Sequence, residues 1–315
     1  MKRAENVTGE TEAKAHTYSV EDYTAGAYLS MLWGAFAFAS MGALGHLAGE
    51  RCSWQLVALA RTSLALIFAL LFALVTSVRL VFLKPRTLWV RSIFGSIGIL
   101  CSFYSLTHLP ISTSLTLSNT VPIWVTLLAW PILGYRPTKQ IWLAIAAGIL
   151  GVILIQRPYF QAGNLAGLAA IAHAVSWAIG MLGLNRLGKV DPLAVVVHFA
   201  GVSTVVCLVF FILTGAAVSY GNLGDSALMI ILAGVGITGT IGQLGQTRAF
   251  ALGHPSKVAV VGLTQIVFAC LFDLIVWKRR FDVWTVCGIL LVIAPTAWLL
   301  LNSPLRRNES IHSTT

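Results

Sequence analysis

The chain has 315 residues, of which 57% are hydrophobic and only 10% charged, and its mean hydropathy is +0.83. Ordinary soluble domains carry about 25% charge, so this composition excludes a water-soluble fold of this size. The formal net charge of +10 does not point to nucleic acid, because Lys and Arg fall in short clusters between apolar runs, where they set membrane orientation.

In chain order, a polar segment at 1–25 reads as a cytoplasmic tail. Ten predicted spans follow, at 26–48, 56–78, 88–108, 112–134, 139–156, 164–185, 192–214, 226–248, 256–277 and 282–302, and a second cytoplasmic tail at 303–315 closes the chain. Most spans hold about 20 apolar residues, enough to cross a hydrocarbon core of about 30 Å as a helix. They lack the two-residue alternation of a membrane barrel. The expected fold is therefore an all-α polytopic membrane protein. Several of the short connections contain proline, at Pro110, Pro137, Pro158, Pro192 and Pro255.

Counting Lys and Arg sets the expected orientation. With the N-terminus in the cytoplasm, fifteen of them, from Lys2 and Arg3 through Arg79, Arg91, Arg136, Arg186 and Arg248 to Arg306 and Arg307, fall inside; five, Arg51, Arg157, Lys278, Arg279 and Arg280, fall outside. Both termini are expected in the cytoplasm, with a bacterial inner membrane as the location. The five cysteines, Cys52, Cys101, Cys207, Cys270 and Cys287, show no metal or disulfide spacing and read as small apolar residues.

Ten spans divide into two sets of five, 26–157 and 163–302. FYSLTHLPISTS (103–114) is similar to AFALGHPSKVAV (249–260), and QIWLAIAAGILGVILI (140–155) to DVWTVCGILLVIAPTA (282–297). Duplicating an odd number of spans inserts the second copy upside down, as in many secondary carriers.

The same stretches carry a family resemblance. RTSLALIFAL (61–70), RSIFGSIGILCSFYSLTHLPISTSLTLSNTVPIWVTLLAWPILG (91–134) and GQTRAFALGHPSKVAVVGLTQIVFACLFDLIVW (245–277) resemble the drug/metabolite transporter superfamily, in particular its ten-helix EamA branch. The resemblance spans about 26–302 and implies two inverted five-helix repeats that transport amino acids, related amines or other metabolites. Members commonly carry a Glu just after spans 4 and 9. Here those places are near Tyr135 or Arg136 and near Trp277 or Lys278, so no role passes to a carboxylate there.

Polar residues at mid-span depth are the candidate site. On a helix Ser112, Thr116 and Asn119 share one face, and Pro122 removes an amide that would bond the carbonyl of Ser118, so a kink is expected. A carbonyl freed at that depth must meet protein, a hydroxyl or water, so the segment reads as cavity-lining; Ser and Thr there could equally be interhelical glue. In span 8, Gln243 and Gln246 share a stripe with Gly239, and Gln265 of span 9 aligns near Pro122. These amides could hydrogen-bond a polar solute. Arg61 lies a third of the way into span 2, where it either snorkels to the outer interface or offers a cation to a carboxylate solute or to Glu50. Arg91, Arg248 and Lys257 read as snorkelling residues at cytoplasmic span ends or as a basic vestibule.

Trp124 and Trp177 could stack on an aromatic or cationic solute or serve the packing of the bundle. His173, His198 and Asp273 are the candidates for coupling transport to a proton. Walker A, GxSxG, HExxH and paired-Asp protease patterns are absent, so neither an ATP engine nor a metal, cofactor or catalytic centre is expected. The expected function is secondary, non-ATP transport of small polar organic solutes, amino acids or related metabolites, by alternating access. The alternative is a membrane enzyme or assembly factor. The expected partners are a solute and the bilayer, with monomer and homodimer both open.

Overall fold

The computed structural model describes residues 21–109, 111–157, 165–188, 190–215, 225–276, 278 and 282–301, with side chains left aside at 21–24, 106–107, 111–113 and 299–301. Twelve helices follow one another: α1 (Glu21–Gly49), α2 (Trp54–Val75), α3 (Arg86–His108), α4 (Ile111–Ser118), α5 (Val121–Leu133), α6 (Lys139–Gln156), α7 (Leu165–Arg186), α8 (Pro192–Leu213), α9 (Ser226–Leu252), α10 (Pro255–Gly262), α11 (Thr264–Val276) and α12 (Val283–Leu301). Among the described residues, nine apolar helical stretches of 18 to 27 residues are long enough to cross a bilayer, and Val283–Trp298 adds a shorter one. α1 starts at Glu21, inside the predicted tail, while the tail at 303–315 lies outside the described residues.

Twelve helices make ten spans because the fourth span of each half is broken. In the first half, α4 ends at Ser118 and α5 starts at Val121. Pro122 stands at the start of α5 and has no N–H to give the Ser118 carbonyl, so the chain tightens into short turns, Thr120 N to Leu117 O at 3.2 Å and Ile123 N to Thr120 O at 2.9 Å. In the second half the interruption falls at Leu263, whose N–H bonds Val260 O at 3.0 Å and whose carbonyl accepts from Ile266 at 3.1 Å. Elsewhere the helix ends follow ordinary capping chemistry. The side chains of Thr138, Asp191 and Asp225 accept backbone N–H groups at the starts of α6, α8 and α9, and Pro192 opens α8 where no N–H is needed.

Most of the packing follows one exchange rule, span n for span n+5. α1 lies against α9, and its counterpart pair α7 and α3 is just as intimate. α2 meets α9 as α8 meets α3, and α1 meets the broken helix α10–α11 as α7 meets α4–α5. Three contacts map onto themselves, α2 with α8, α6 with α12, and the broken span α4–α5 with the broken span α10–α11 through α5 and α10. This is an inverted repeat of five spans, and the two halves interlock instead of sitting side by side. Glycines permit the closest crossings. A Cβ on Gly245 would stand 2.7 Å from the Ser30 carbonyl oxygen and 3.0 Å from the Gly34 Cα, so α9 and α1 touch backbone to backbone.

The end of the bundle where α1 begins is packed solid. Tyr28, Met31, Leu88, Val125, Leu182, Val195, Phe250 and Val258, from α1, α3, α5, α7, α8, α9 and α10, form one buried cluster there. The apolar side chains left outside, such as Leu71, Phe72, Ile230 and Ile241, lie on the perimeter where lipid tails would take them.

Candidate functional site

Toward the middle, between α2, α3, α8 and α9, a cavity of about 20 Å³ remains, room for a water molecule. Arg61 and Thr62 of α2, Ile99 of α3, Phe199, Ala200 and Ser203 of α8, and Gly239 and Gln243 of α9 form its wall. Both halves contribute, as an alternating-access pathway requires. The Gln243 amide is buried and reaches only a long contact, 3.5 Å, to the Thr247 hydroxyl.

Behind this wall runs a polar seam between α3, α7 and α8. Ser96 and Ser203 share a hydrogen bond of 2.9 Å, Ser92 and His198 Nδ1 one of 2.7 Å, and His173 Nδ1 donates to the Gly98 carbonyl at 2.7 Å. These bonds let α3 bury Ser92, Ser96 and the Gly98 carbonyl, and α8 bury Ser203, where an unmet polar group in lipid costs several kcal/mol, on the order of the lipid-phase penalty. Trp89 meets the His198 ring edge-on at 4.7 Å, and Trp177 lies 5.7 Å from the His173 ring and 6.3 Å from that of Phe199.

In this seam sits Arg91. It is 0% exposed, and Nε, Nη1 and Nη2 are all buried without a hydrogen-bond partner. Its guanidinium carbon stands 4.0 Å from the centroid of Phe199 and 5.3 Å from that of Trp177. Three glycines make the slot: a Cβ on Gly95 would run into Nη1, one on Gly180 would come within 3.4 Å of it, and one on Gly183 within 3.6 Å of the Arg91 Cβ. The symmetry-related crossing of α1 and α9 closes backbone on backbone, whereas the α3–α7 crossing uses its glycines to hold a cation. An Arg at the centre of a span costs about 2.5–3.5 kcal/mol on translocation scales, and Arg91, though nearer its helix start, is likewise shut off from water. Two aromatic faces return about 2 kcal/mol or more for a desolvated pair. The charge remains without a counter-ion, and among the described residues the only carboxylate within a span is Asp273, on α11.

The residues singled out from sequence do not all converge. Arg61 and Gln243 line the cavity, and Trp177 and His173 stand in the adjoining seam with His198. Arg61 is not paired with Glu50, which lies 3.9 Å from His46 at an exposed helix end. Asn119 is half-buried and turns its amide back to the Leu115 carbonyl at 2.7 Å, and Trp124 donates to Thr120 Oγ1 at 3.3 Å while packing on the core cluster. Thr116 is buried in α4, and the side chain of Ser112 lies outside the described residues. Gln246 is buried on α9, its Oε1 without a partner, and its backbone N would stand 3.1 Å from a Cβ on Gly34. Gln265 and Asp273 are half-buried on α11. Asn119, Trp124, Thr116, Gln246, Gln265 and Asp273 do not line this cavity. Pro122 is buried beside the break between α4 and α5.

The sequence reading kept Arg91 out of the candidate site, taking it for a snorkelling residue at a cytoplasmic span end or part of a basic vestibule there. It starts only five residues into α3, but its side chain runs inward, not to the interface. The available signal was Gly95, one turn on, which leaves an open place for a guanidinium that no side chain contests.

At the packed end, His254 lies between α9 and α10, its ring 4.7 Å from Tyr135 and its Nδ1 buried without a partner. Burial, with the positive charge of Lys257 adding to it, lowers its pKa to about 4. At the opposite end two exposed ion pairs tie the halves together, Arg51 with Asp225 at 2.9 Å and Arg157 with Asp282.

This geometry can be set beside known proteins. The EamA-like transporter family matches residues 25–157 and again 164–301. The chain belongs to this family. Its members among curated proteins include the pseudopaline exporter CntI of Pseudomonas aeruginosa, 24% identical over 66% of this chain and 72% of that protein. Solute carrier family 35 member G1 of Mus musculus is 28% identical over 66% of this chain and 60% of its own length, and an uncharacterized transporter of Helicobacter pylori is 24% identical over 72% and 77%. A solved structure described only as a crystal structure of a protein superposes with a TM-score of 0.77 at 17% identity, covering 89% of this chain and 97% of that one, and shares the fold. This family member is a multi-pass membrane transporter, not an enzyme.

Proposed function

We propose that this transporter is a secondary carrier of a small polar organic solute, with amino acids or related metabolites as the class, and that it works by alternating access. The observation that supports the reading is the cavity walled by both repeats, lined by Arg61, Gln243 and Ser203 and backed by a polar seam. The solid cluster at the end holding Glu21 supports a state closed on that side, and exchange of the equivalent contacts between repeats supplies the opposite state. The excess of Lys and Arg on that side supports placing both termini in the cytoplasm, and the Pseudomonas and Helicobacter relatives support a bacterial inner membrane. A relative named as an exporter and another as a solute carrier support movement of a small solute.

Purified protein in liposomes, given a labelled panel of amino acids and metabolites, tests this. Uptake of at least one member is expected, with Gln243→Leu lowering it about tenfold at unchanged yield. Asn119→Leu and Gln246→Leu should lower it less, because both amides lie off this cavity. With the five natural cysteines replaced, a cysteine at position 203 should react with a water-soluble thiol reagent and be protected by the transported solute, while one at the perimeter residue Ile241 should not. No uptake across the panel together with an unreactive position 203 would remove the reading.

A further inference from the structure

We propose that the transported solute carries an oxyanion group, a carboxylate or a phosphate, and that Arg91 is its counter-ion. This rests on the carrier reading and narrows its substrate class. The argument starts from Arg91, fully buried with three unmet nitrogens, in a chain whose described spans contain a single carboxylate on another helix. A bundle that keeps a desolvated cation without an internal partner gains from one only when a ligand brings the opposite charge. A planar guanidinium presents forked donors that match a carboxylate or phosphate face.

The placement fits a passage. Phe199 lines the cavity and carries the Arg91 guanidinium 4.0 Å from its ring centroid, so this one ring divides the cavity from the Arg91 slot. Arg61 lines the same cavity as that ring and enters from the opposite membrane face, since α2 and α3 are consecutive, antiparallel spans and each arginine lies in the first part of its helix. The two arginines are successive stations for an anion, and Phe199 with Trp177 is the partition that must turn aside between them. The same sites offer a primary amine no buried acid, only aromatic faces. An amino acid is therefore held by its carboxylate, and removing the amino group costs less than removing the carboxyl.

The test uses the full chain in liposomes and in detergent. Each of glutamate, leucine and lysine is offered beside its 2-oxo acid and its decarboxylated amine, and glycerol 3-phosphate serves as the phosphate arm. Uptake of an acid, competition by its 2-oxo form and none by its amine are expected, and glycerol 3-phosphate or the carboxylates, whichever competes, identifies the oxyanion. Arg91→Met should cut that uptake about tenfold or more without lowering the apparent melting temperature, and Arg91→Lys should restore part of it. In wild type the competing acid should raise the melting temperature, and in Arg91→Met it should not. Preferred uptake of amines, or acid uptake unchanged in Arg91→Met, overturns the proposal while leaving the carrier reading intact. A melting temperature that falls in Arg91→Met, with no acid shifting the wild-type value, assigns the arginine to packing and also overturns it. An acid that stabilises the protein but is never transported supports the anion site and removes the carrier reading.

Discussion

Gly245→Ala places one methyl group between α9 and α1. The new Cβ would stand 2.7 Å from the Ser30 carbonyl oxygen and 3.0 Å from the Gly34 Cα, against an ordinary contact of 3.4 Å or more. Both obstacles are backbone, so neither can rotate away, and the helices must part by about 0.7 Å. A radial gap of that size forfeits roughly a quarter to a half of the dispersion energy of each neighbouring contact. Overpacking of this kind costs about 1–3 kcal/mol, here toward the upper end, while Ala in place of Gly returns about 0.8–1 kcal/mol of helix propensity. The net expectation is a loss of about 1–2 kcal/mol, an apparent melting temperature lower by roughly 2–8 °C at about 2–4 °C per kcal/mol for a chain of this size. Gly42→Ala is the matched control, because nothing lies within 4 Å of its Cβ position and the propensity gain stands alone. Thermal denaturation of detergent-solubilised protein, followed by the surviving monodisperse peak, measures both. If Gly245→Ala melts with or above Gly42→Ala, the claim that the repeats are held by direct backbone contact is wrong.

Gly95→Ala drives a methyl into the buried Arg91 guanidinium and the edge of the Phe199 ring, so it should lower the melting temperature modestly and lower uptake by displacing both; unchanged uptake would separate the Arg91 slot from transport. His254, with its pKa lowered to about 4 from an ordinary 6.5, stays neutral in the fold while the unfolded chain takes up a proton. Its stabilising effect is complete above about pH 6.5, declines as the pH falls toward 4 and is lost below that. His254→Gln should therefore flatten the melting temperature between pH 6.5 and 4, and an unaltered profile would place the pH sensitivity elsewhere. Asp225→Asn with Asp282→Asn removes both exposed links between the halves at the end away from Glu21. Such pairs add little stability and are screened by salt, so melting should hold while thiol reactivity at position 203 rises, and raising ionic strength should reproduce that in the wild type.

Much of the architecture was legible because hydropathy and proline act locally. An apolar run of about 20 residues becomes a helix whatever surrounds it, and an odd number of spans per repeat dictates inversion. The weak likeness between 103–114 and 249–260 falls where both halves turn into their broken fourth spans, α4–α5 and α10–α11. Composition also revealed that acids are nearly absent from the spans, which is why an unpaired arginine carries weight.

The site was only partly legible. Sequence drew attention to the polar stretch of span 4, but Asn119 and Thr120 direct their polar groups to the Leu115 and Leu117 carbonyls of their own helix, a local bond that competes with any solute. Arg61 and Gln243 do reach a common cavity, which no periodicity could announce, because α2 and α9 belong to different repeats. Arg91 is the clearest case. Read along the chain it is one more basic residue near a span end, where it would reach for water. Its burial depends on Gly180 and Gly183 of α7 leaving a slot and on Phe199 of α8 closing it, surfaces that meet α3 only when the bundle assembles. Side-chain chemistry and local hydropathy decide what can cross a membrane and where a helix must break; which charge is denied both water and a partner is decided by the neighbours that tertiary packing brings.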